Sequence, residues 1–181
     1  MTDTVSTADP TAEPKDTYQL MARAFAALRI FTGLVWLSNA LAKIFDKANY
    51  DWGFFSFNLI TNGAARFIAT DAAEKTNFAP LASVYQDFVL PNWGFFSVFL
   101  TVAELAIGLG LIFGVATRLA AVGGLLLLTP IWLMLWDRGQ YLWTYPAEDL
   151  FPLLLLAVVP AGRVLGFDKS LARRFHGRWP F

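Results

Sequence analysis

Cysteine is absent from the 181-residue chain, and histidine occurs once, at His176. The missing cysteines exclude disulfides, thiol redox chemistry, iron–sulfur clusters and cysteine-ligated zinc. A single histidine excludes a haem held by two histidines of this chain, and we expect no haem, iron–sulfur cluster or metal ion. Any electrons that pass through the protein therefore need an organic carrier or a cofactor on a partner. The formal net charge is zero, and we expect no nucleic-acid partner.

The composition indicates an integral membrane protein. Hydrophobic residues make up 56% of the chain and aromatic residues 16%, and the mean hydropathy is +0.49. Four apolar segments have the length that an α-helix needs to cross a bilayer. They are residues 21–45, 93–114, 119–136 and 148–166. We therefore predict an all-α integral membrane fold, a four-transmembrane-helix bundle (21–166) between a disordered cytoplasmic tail (1–20) and a basic cytoplasmic tail (167–181).

The basic residues predict the orientation of the bundle. Eight lysines and arginines lie in the N-terminal tail, the 115–118 turn and the C-terminal part of the chain, whereas four lie on the opposite side. Because positive charge accumulates on the cytoplasmic side, we expect a multi-pass protein of a bacterial or archaeal cytoplasmic membrane with both termini in the cytoplasm. The basic, aromatic C-terminal tail is expected to contact anionic lipids there.

A long loop, residues 46–92, joins the first two segments on the predicted extracytoplasmic side. A loop of this length usually has structure or a function of its own. Phe78, Leu81, Val84, Tyr85 and Phe88 fall on one helical face, which is typical of a helix lying on the membrane surface. A second interfacial helix is suggested by Phe55, Leu59 and Ile60. The loop also contains WGFFSFNL (52–59), an echo of WGFFSVFL (93–100) that we attribute to a shared interfacial environment.

Two of the membrane segments carry polar stripes with helical spacing. The first stripe is Arg29, Thr32, Trp36, Asn39 and Lys43. The second is Ser97, Thr101, Glu104 and Gly108. A cation at mid-membrane costs about 2.5–3.5 kcal/mol on insertion scales, so both stripes should face the bundle interior or a hydrated cavity. The depths of these residues predict an interior polar line that runs Arg29–Glu104–Asn39–Lys43.

Two interpretations of the polar line stay open. Ionisable groups inside a membrane are functional by default, which makes Glu104 a candidate for proton exchange or ligand binding. Alternatively, Glu104 only neutralises a cation and ties two helices together, while Lys43 extends toward the interface. The aromatic residues near the loop side are either an interfacial belt or one wall of a site for a flat ring. They are Trp132, Trp136, Trp143 and Tyr145.

Three stretches resemble the DoxX/DoxD-like membrane family. LRIFTGLVWLSNALAKIF (28–45) is similar to the family's first helix, with an arginine, a glycine four residues later and a lysine near the end. ELAIGLGLIFGVATRLAAVGG (104–124) resembles its central hairpin, and GRVLGFDKSL (162–171) resembles its closing pattern. The long loop that ends in PNWGFF is more similar to the small DoxD subunit of thiosulfate:quinone oxidoreductase than to the shortest DoxX proteins.

The resemblance implies a four-helix membrane subunit of a quinone-linked oxidoreductase of the respiratory chain, with thiosulfate as the electron donor. On this hypothesis Glu104 is the catalytic proton-exchange group, and a quinone is bound by Arg29, Trp36, Asn39 and Lys43. The alternative hypothesis is a non-catalytic anchor, scaffold or lipid-binding subunit of a larger membrane complex, and a weaker one is a small-anion transporter. The expected partners are membrane lipids, other subunits and further copies of the chain.

Overall fold

A computed structural model describes residues 15–51, 56–136 and 145–181, with side chains described for 17–49, 59–136 and 148–181. Helices dominate this part of the chain, which confirms the all-α class; one small antiparallel ribbon is the exception. The helices are α1 (Lys15–Phe45), α2 (Asn62–Lys75), α3 (Ala79–Val84), α4 (Trp93–Phe113), α5 (Thr117–Met134), α6 (Tyr145–Val158) and α7 (Asp168–Arg174). The ribbon pairs β1 (Asn49–Asp51) with β2 (Ser56–Asn58).

Three described helices are long and apolar enough to cross a membrane: α1 over Thr17–Phe45, α4 and α5. The predicted fourth segment, 148–166, is shorter in the structure. It corresponds to α6, which ends at Val158, and a single 3₁₀ turn follows at Ala161–Arg163. Pro160 explains the early end, because proline disfavours helical geometry in the residue before it and supplies no N–H.

The first helix is longer at its start than predicted. Residues 15–20 belong to α1 rather than to a disordered tail, and residues 1–14 lie outside the described part of the chain. The predicted segments 93–114 and 119–136 correspond closely to α4 and α5. A sharp turn joins these two helices, with Gly114 in a left-handed conformation at φ 63° and Ala116 at φ 48°. We call this side of the bundle the turn end and the side formed by residues 46–92 the loop end.

Two glycines let α1 and α4 approach each other closely. A Cβ on Gly33 would lie 2.8 Å from the backbone nitrogen of Ile112, and a Cβ on Gly108 would lie 2.7 Å from the backbone nitrogen of Leu37. Small residues allow this kind of backbone contact between membrane helices. This contact places the charged side chains on either side of it in the interior of the bundle. Lys43 and Glu104 lie toward the loop end of the contact, and Arg29 lies toward the turn end.

The loop end differs from the sequence prediction. The predicted helix around Leu59 and Ile60 is wrong, since residues 56–58 form β2 and the next two residues belong to neither a helix nor a strand; Phe55 lies outside the described residues. Helix α2 was not predicted, although Thr61 caps it by accepting a hydrogen bond from the Ala64 N–H at 3.3 Å. The buried face of α2 consists of alanines, whose small side chains give only a weak hydrophobic pattern in the sequence, so the sequence does not reveal this helix.

The predicted interfacial helix at residues 78–88 is present as α3 and a π-helical turn, Tyr85–Val89. Its apolar residues divide between two environments. Phe78, Val84 and Phe88 are exposed, whereas Leu81 and Tyr85 pack against a buried cluster of Ala72, Ala73 and Met134. This burial raises the pKa of the Tyr85 hydroxyl. The segment therefore joins α2 to the loop end of α5 as well as presenting an apolar surface.

Candidate functional site: a buried ion pair and a guanidinium clamp

A buried ion pair joins α1 to α4 in the loop half of the bundle. The Lys43 ammonium lies 2.9 Å from Glu104 Oε2, and the two side chains are only 1% and 11% exposed. Lys43 comes from the last turn of α1, and Glu104 lies near the middle of α4. Each charge offsets the cost of burying the other, and removal of one partner would leave a charge inside the apolar bundle.

Lys43 also holds the chain that follows the ribbon. Its ammonium donates a second hydrogen bond to the Ile60 carbonyl at 2.8 Å. The Ile60 N–H donates to Asn39 Oδ1 at 3.0 Å, and the Asn62 amide donates to the Lys43 carbonyl at 3.3 Å. Both backbone groups of Ile60 are thus held by side chains of α1. We call residues 59–62 the strap, because they tie the loop end to the helix that carries the ion pair.

The remaining polar residues of the second stripe are hydrogen-bonded within α4. Thr101 donates to the Ser97 carbonyl at 2.8 Å, and Ser97 donates to the Gly94 carbonyl at 3.1 Å. Both side chains are half-buried and lie between the start of α4 and Glu104. Their hydroxyls keep acceptor capacity while they donate to the helix backbone, so they can still bind water or a polar ligand.

Arg29 does not belong to the same polar line. Its side chain is fully buried, and its guanidinium donates to the carbonyls of Leu111 at 2.7 Å, Ile112 at 3.1 Å and Leu165 at 2.8 Å. Leu111 lies seven residues beyond Glu104, about 10 Å further along α4. The predicted polar line is therefore wrong in its step from Arg29 to Glu104. The last carbonyls of a helix lack partners within the helix and carry partial negative charge, so they attract the cation.

Asp168 holds the same end of the bundle, and we call Arg29 and Asp168 together the clamp. Its carboxylate accepts hydrogen bonds from the N–H groups of Ala116 at 2.7 Å and Thr117 at 3.0 Å, where α5 begins. Its own N–H donates to the Gly114 carbonyl at 2.8 Å. Two glycines make room, because a Cβ on Gly114 would collide with the Arg29 guanidinium and one on Gly162 with the Asp168 carboxylate. These contacts fasten residues 162–168 to the α4–α5 turn.

Asp168 is not among the site residues predicted from the sequence. The available signal was its place in GRVLGFDKSL, a glycine-containing turn followed by an acid at the start of a helix. An acid in the first turn of a helix usually stabilises that same helix, here α7. In the structure it caps α5 instead, a helix that begins 51 residues earlier in the chain.

Trp36 and Asn39, the two remaining predicted quinone contacts, both interact with other residues of the chain. Trp36 is 8% exposed and lies in the bundle core beside Gly124 and Leu153, where it fills the space left by the glycine. Asn39 uses its oxygen for the strap and its amide for the Val35 carbonyl at 3.2 Å. Their predicted role as quinone contacts stays a prediction.

An aromatic cleft lies at the loop end, apart from the ion pair. Its volume is about 270 Å³, and it is lined by Thr76, Asn77, Phe78, Leu133 and Trp136. Trp136 is 62% exposed, in keeping with an interfacial position. Trp143 lies outside the described residues, as does the side chain of Tyr145. Neither Lys43 nor Glu104 lines the cleft, and we assign the cleft no part in the chemistry of the ion pair.

Comparison with known proteins places much of the chain in one family model. The profile of the DoxX family matches residues 24–136, which is more than half of the chain. The matched region contains Arg29, Lys43 and Glu104 and ends before α6 and Asp168. Neither a curated protein nor a solved structure matches the chain.

Proposed function

Since the chain belongs to the DoxX family, we propose that it is a membrane subunit of a quinone-linked oxidoreductase, with Glu104 as its proton-exchange group. The observation that supports this proposal is the Lys43–Glu104 ion pair, buried between two helices that can cross a membrane. An ion pair in that position is costly if its only role is to join helices, since packed apolar residues often do so equally well. The resemblance to the DoxD subunit suggests thiosulfate as the electron donor.

Some of the predicted quinone contacts lie at the ion pair, and others lie elsewhere in the bundle. A quinone carbonyl needs a cationic or hydrogen-bonding donor and a nearby acid that can release a proton, which Lys43 and Glu104 supply together. Arg29 is committed to backbone carbonyls at the turn end. We therefore assign Arg29 to the clamp and Trp36 to the core, and we keep Lys43 and Glu104 as the reactive groups, with Asn39 positioning the strap beside them.

A bound quinone would supply two-electron redox chemistry, and the chain would supply charge and protons. In the resting state the Glu104 carboxylate is balanced by the Lys43 ammonium at 2.9 Å. Glu104 would therefore first take up a proton and then pass it to the reduced quinone, which restores the carboxylate that Lys43 stabilises and lets the cycle repeat. Ser97 and Thr101 lie along α4 between its loop-end start and Glu104, on the path by which protons would return. The electrons would come from a partner that oxidises thiosulfate.

The topology that we propose has four crossings with both termini in the cytoplasm. Helix α6 would be the fourth crossing, packed along α5 and followed by the turn that carries Asp168. Its 14 residues span about 21 Å, so the bilayer would thin or the flanking residues would extend to the interface. The turn end, which carries the basic C-terminal segment, would face the cytoplasm, and the loop end would meet the electron donor or its partner.

Purification from native membranes in a mild detergent tests this proposal. We expect a quinone to be retained in near-stoichiometric amount, together with a redox partner, and we expect Lys43→Gln to lower the quinone content severalfold. Lys75→Gln is the matched control, because Lys75 pairs with Asp71 on the surface of α2. A folded complex without quinone, or equal loss from both variants, would contradict the proposal.

A second candidate, a non-catalytic anchor or scaffold, is favoured by one observation. Arg29 and Asn39 form their hydrogen bonds described above with backbone groups of the protein, as expected for polar side chains that hold a bundle together. On this candidate the loop end would dock a partner and the ion pair would be structural. A stable complex with a partner and no quinone would favour it.

A further inference from the structure

The C-terminal part of the chain presents a positive surface without an exposed acidic side chain. Residues 161–181 contain one acid, Asp168, and it is 2% exposed because its carboxylate caps α5. The cations of α7 and the residues after it are all exposed, and within the described residues they form no ion pair. They are Lys169, Arg173, Arg174 and Arg178. We call this region, residues 161–181, the C-terminal basic surface.

The clamp fixes the depth of this surface relative to the membrane. The Phe167 N–H donates to the Phe113 carbonyl at 3.1 Å, and the Asp168 N–H donates to the Gly114 carbonyl at 2.8 Å. Helix α7 therefore begins level with the last turn of α4. Because α4 is a membrane-spanning candidate of 21 residues, its end lies at the boundary of the hydrocarbon, where lipid headgroups begin. Backbone hydrogen bonds thus hold the start of α7 at headgroup depth, and the cations of this seven-residue helix lie within about 10 Å of that point along it.

Large apolar side chains are exposed beside these cations. Leu165 is 73% exposed, Phe167 59% and Trp179 55%. The last residues fold back onto the surface, since Phe175 and Phe181 stack with ring centroids 5.1 Å apart and Arg163 donates to the Phe181 carbonyl at 2.8 Å. Aromatic and leucine side chains next to arginines suit the border between headgroups and acyl chains better than they suit water.

We propose that the C-terminal basic surface binds the anionic phospholipid headgroups of the leaflet at the turn end. Its cations meet the phosphates, and the exposed Leu165, Phe167 and Trp179 enter the acyl boundary beneath them. A soluble phosphate would use the cations but not the apolar groups, and an acidic protein would leave those groups in contact with water. The combination of both at one depth favours a lipid. This inference does not depend on the quinone-linked role.

The test is a lipid-competition measurement on the full chain in mixed bilayers. Spin-labelled phosphatidylglycerol and spin-labelled phosphatidylcholine report how strongly each lipid associates with the protein. For the wild type we expect a preference for phosphatidylglycerol that weakens in high salt, since headgroup contacts are screened. The variant Lys169→Gln/Arg173→Gln/Arg174→Gln should lose most of this preference, because one cation near an anionic surface contributes about fivefold in association.

The matched control removes three cations from the loop end, Lys47→Gln/Arg66→Gln/Lys75→Gln, and should keep the wild-type preference. Helix content and elution in detergent check that both variants fold. Three results would overturn the proposal: no preference in the wild type, an unchanged preference in the α7 variant, or equal losses in both variants. Displacement of the labelled lipid by glycerol phosphate at equal concentration would also overturn it, since it would identify a soluble phosphate as the ligand.

Discussion

Lys43 and Glu104 form an ion pair at 2.9 Å inside the bundle, and the same lysine holds the Ile60 carbonyl of the strap at 2.8 Å. One cation thus connects two membrane helices and the chain at the loop end. The charge state of Glu104 and the position of the strap are linked through this residue.

Lys43→Met should destabilise the protein by about 3–5 kcal/mol, because Glu104 would remain buried without its counter-ion. The double variant Lys43→Met/Glu104→Leu should recover much of this loss, since it buries no charge. Unfolding in a graded detergent mixture measures both. If the single and double variants were equally unstable, the ion pair would not be the source of the loss.

Glu104→Gln should loosen the strap while the helices persist. An unpaired lysine in the bundle favours a position nearer the interface, and its hydrogen bond to the Ile60 carbonyl is then lost. A hydrogen bond to a charged group contributes about 1.5–3 kcal/mol, so we expect amide exchange in residues 59–62 to accelerate roughly tenfold or more. Hydrogen-exchange mass spectrometry measures it, with Asp71→Asn as the control. Unchanged exchange would separate the strap from the ion pair.

Gly108→Ala should cost about 1–3 kcal/mol, because its Cβ would lie 2.7 Å from the backbone of Leu37 and force α1 and α4 apart. Gly94→Ala is the control in the same helix, since a Cβ at Gly94 meets no atom within 4 Å. The Gly94→Ala variant should be as stable as the wild type or slightly more stable. Equal effects of the two substitutions would mean that the close helix contact is not what the glycine provides.

Arg29→Lys should weaken the clamp, because lysine cannot reproduce the forked donor geometry that reaches both the end of α4 and Leu165. We expect faster amide exchange in residues 162–168 and lower stability, with quinone reduction per folded molecule unchanged. Asp168→Asn should act on the same region and cost about 1–3 kcal/mol, because the amide has one acceptor oxygen for the two N–H groups of Ala116 and Thr117. If folded Arg29→Lys lost quinone reduction, Arg29 would have to act in the reaction itself, which would contradict its assignment to the clamp.

The sequence predicts the helices of this protein better than the partners of its charges. The apolar runs identify α4 to within one residue and α5 to within two at each end, and helical spacing places Lys43 and Glu104 on interior stripes. It cannot choose which cation meets Glu104, because Arg29 is long enough to reach in either direction. Its partner carbonyl at Leu165 is 136 residues away in the chain, and no local pattern announces that contact.

The loop end was harder to predict because similar residues adopt different structures there. In the echo of WGFFSFNL and WGFFSVFL, residues 56–58 of the first copy form a strand, whereas residues 97–99 of the second are helical. Pairing with β1 decides the first case, and continuation into a long apolar helix decides the second. Tertiary context overrides local preference in such short segments.

The most direct test of the central claim is quinone reduction by the purified complex that carries Glu104→Gln, with Asp71→Asn as the matched control. Glutamine has nearly the same shape as glutamate but cannot release a proton to a quinone. We predict that quinone reduction falls at least a hundredfold in Glu104→Gln, in line with the loss of a general acid–base group, while complex assembly and the control stay at wild-type levels. Wild-type turnover in a folded Glu104→Gln complex would contradict the account and leave the ion pair as a structural element of a membrane scaffold.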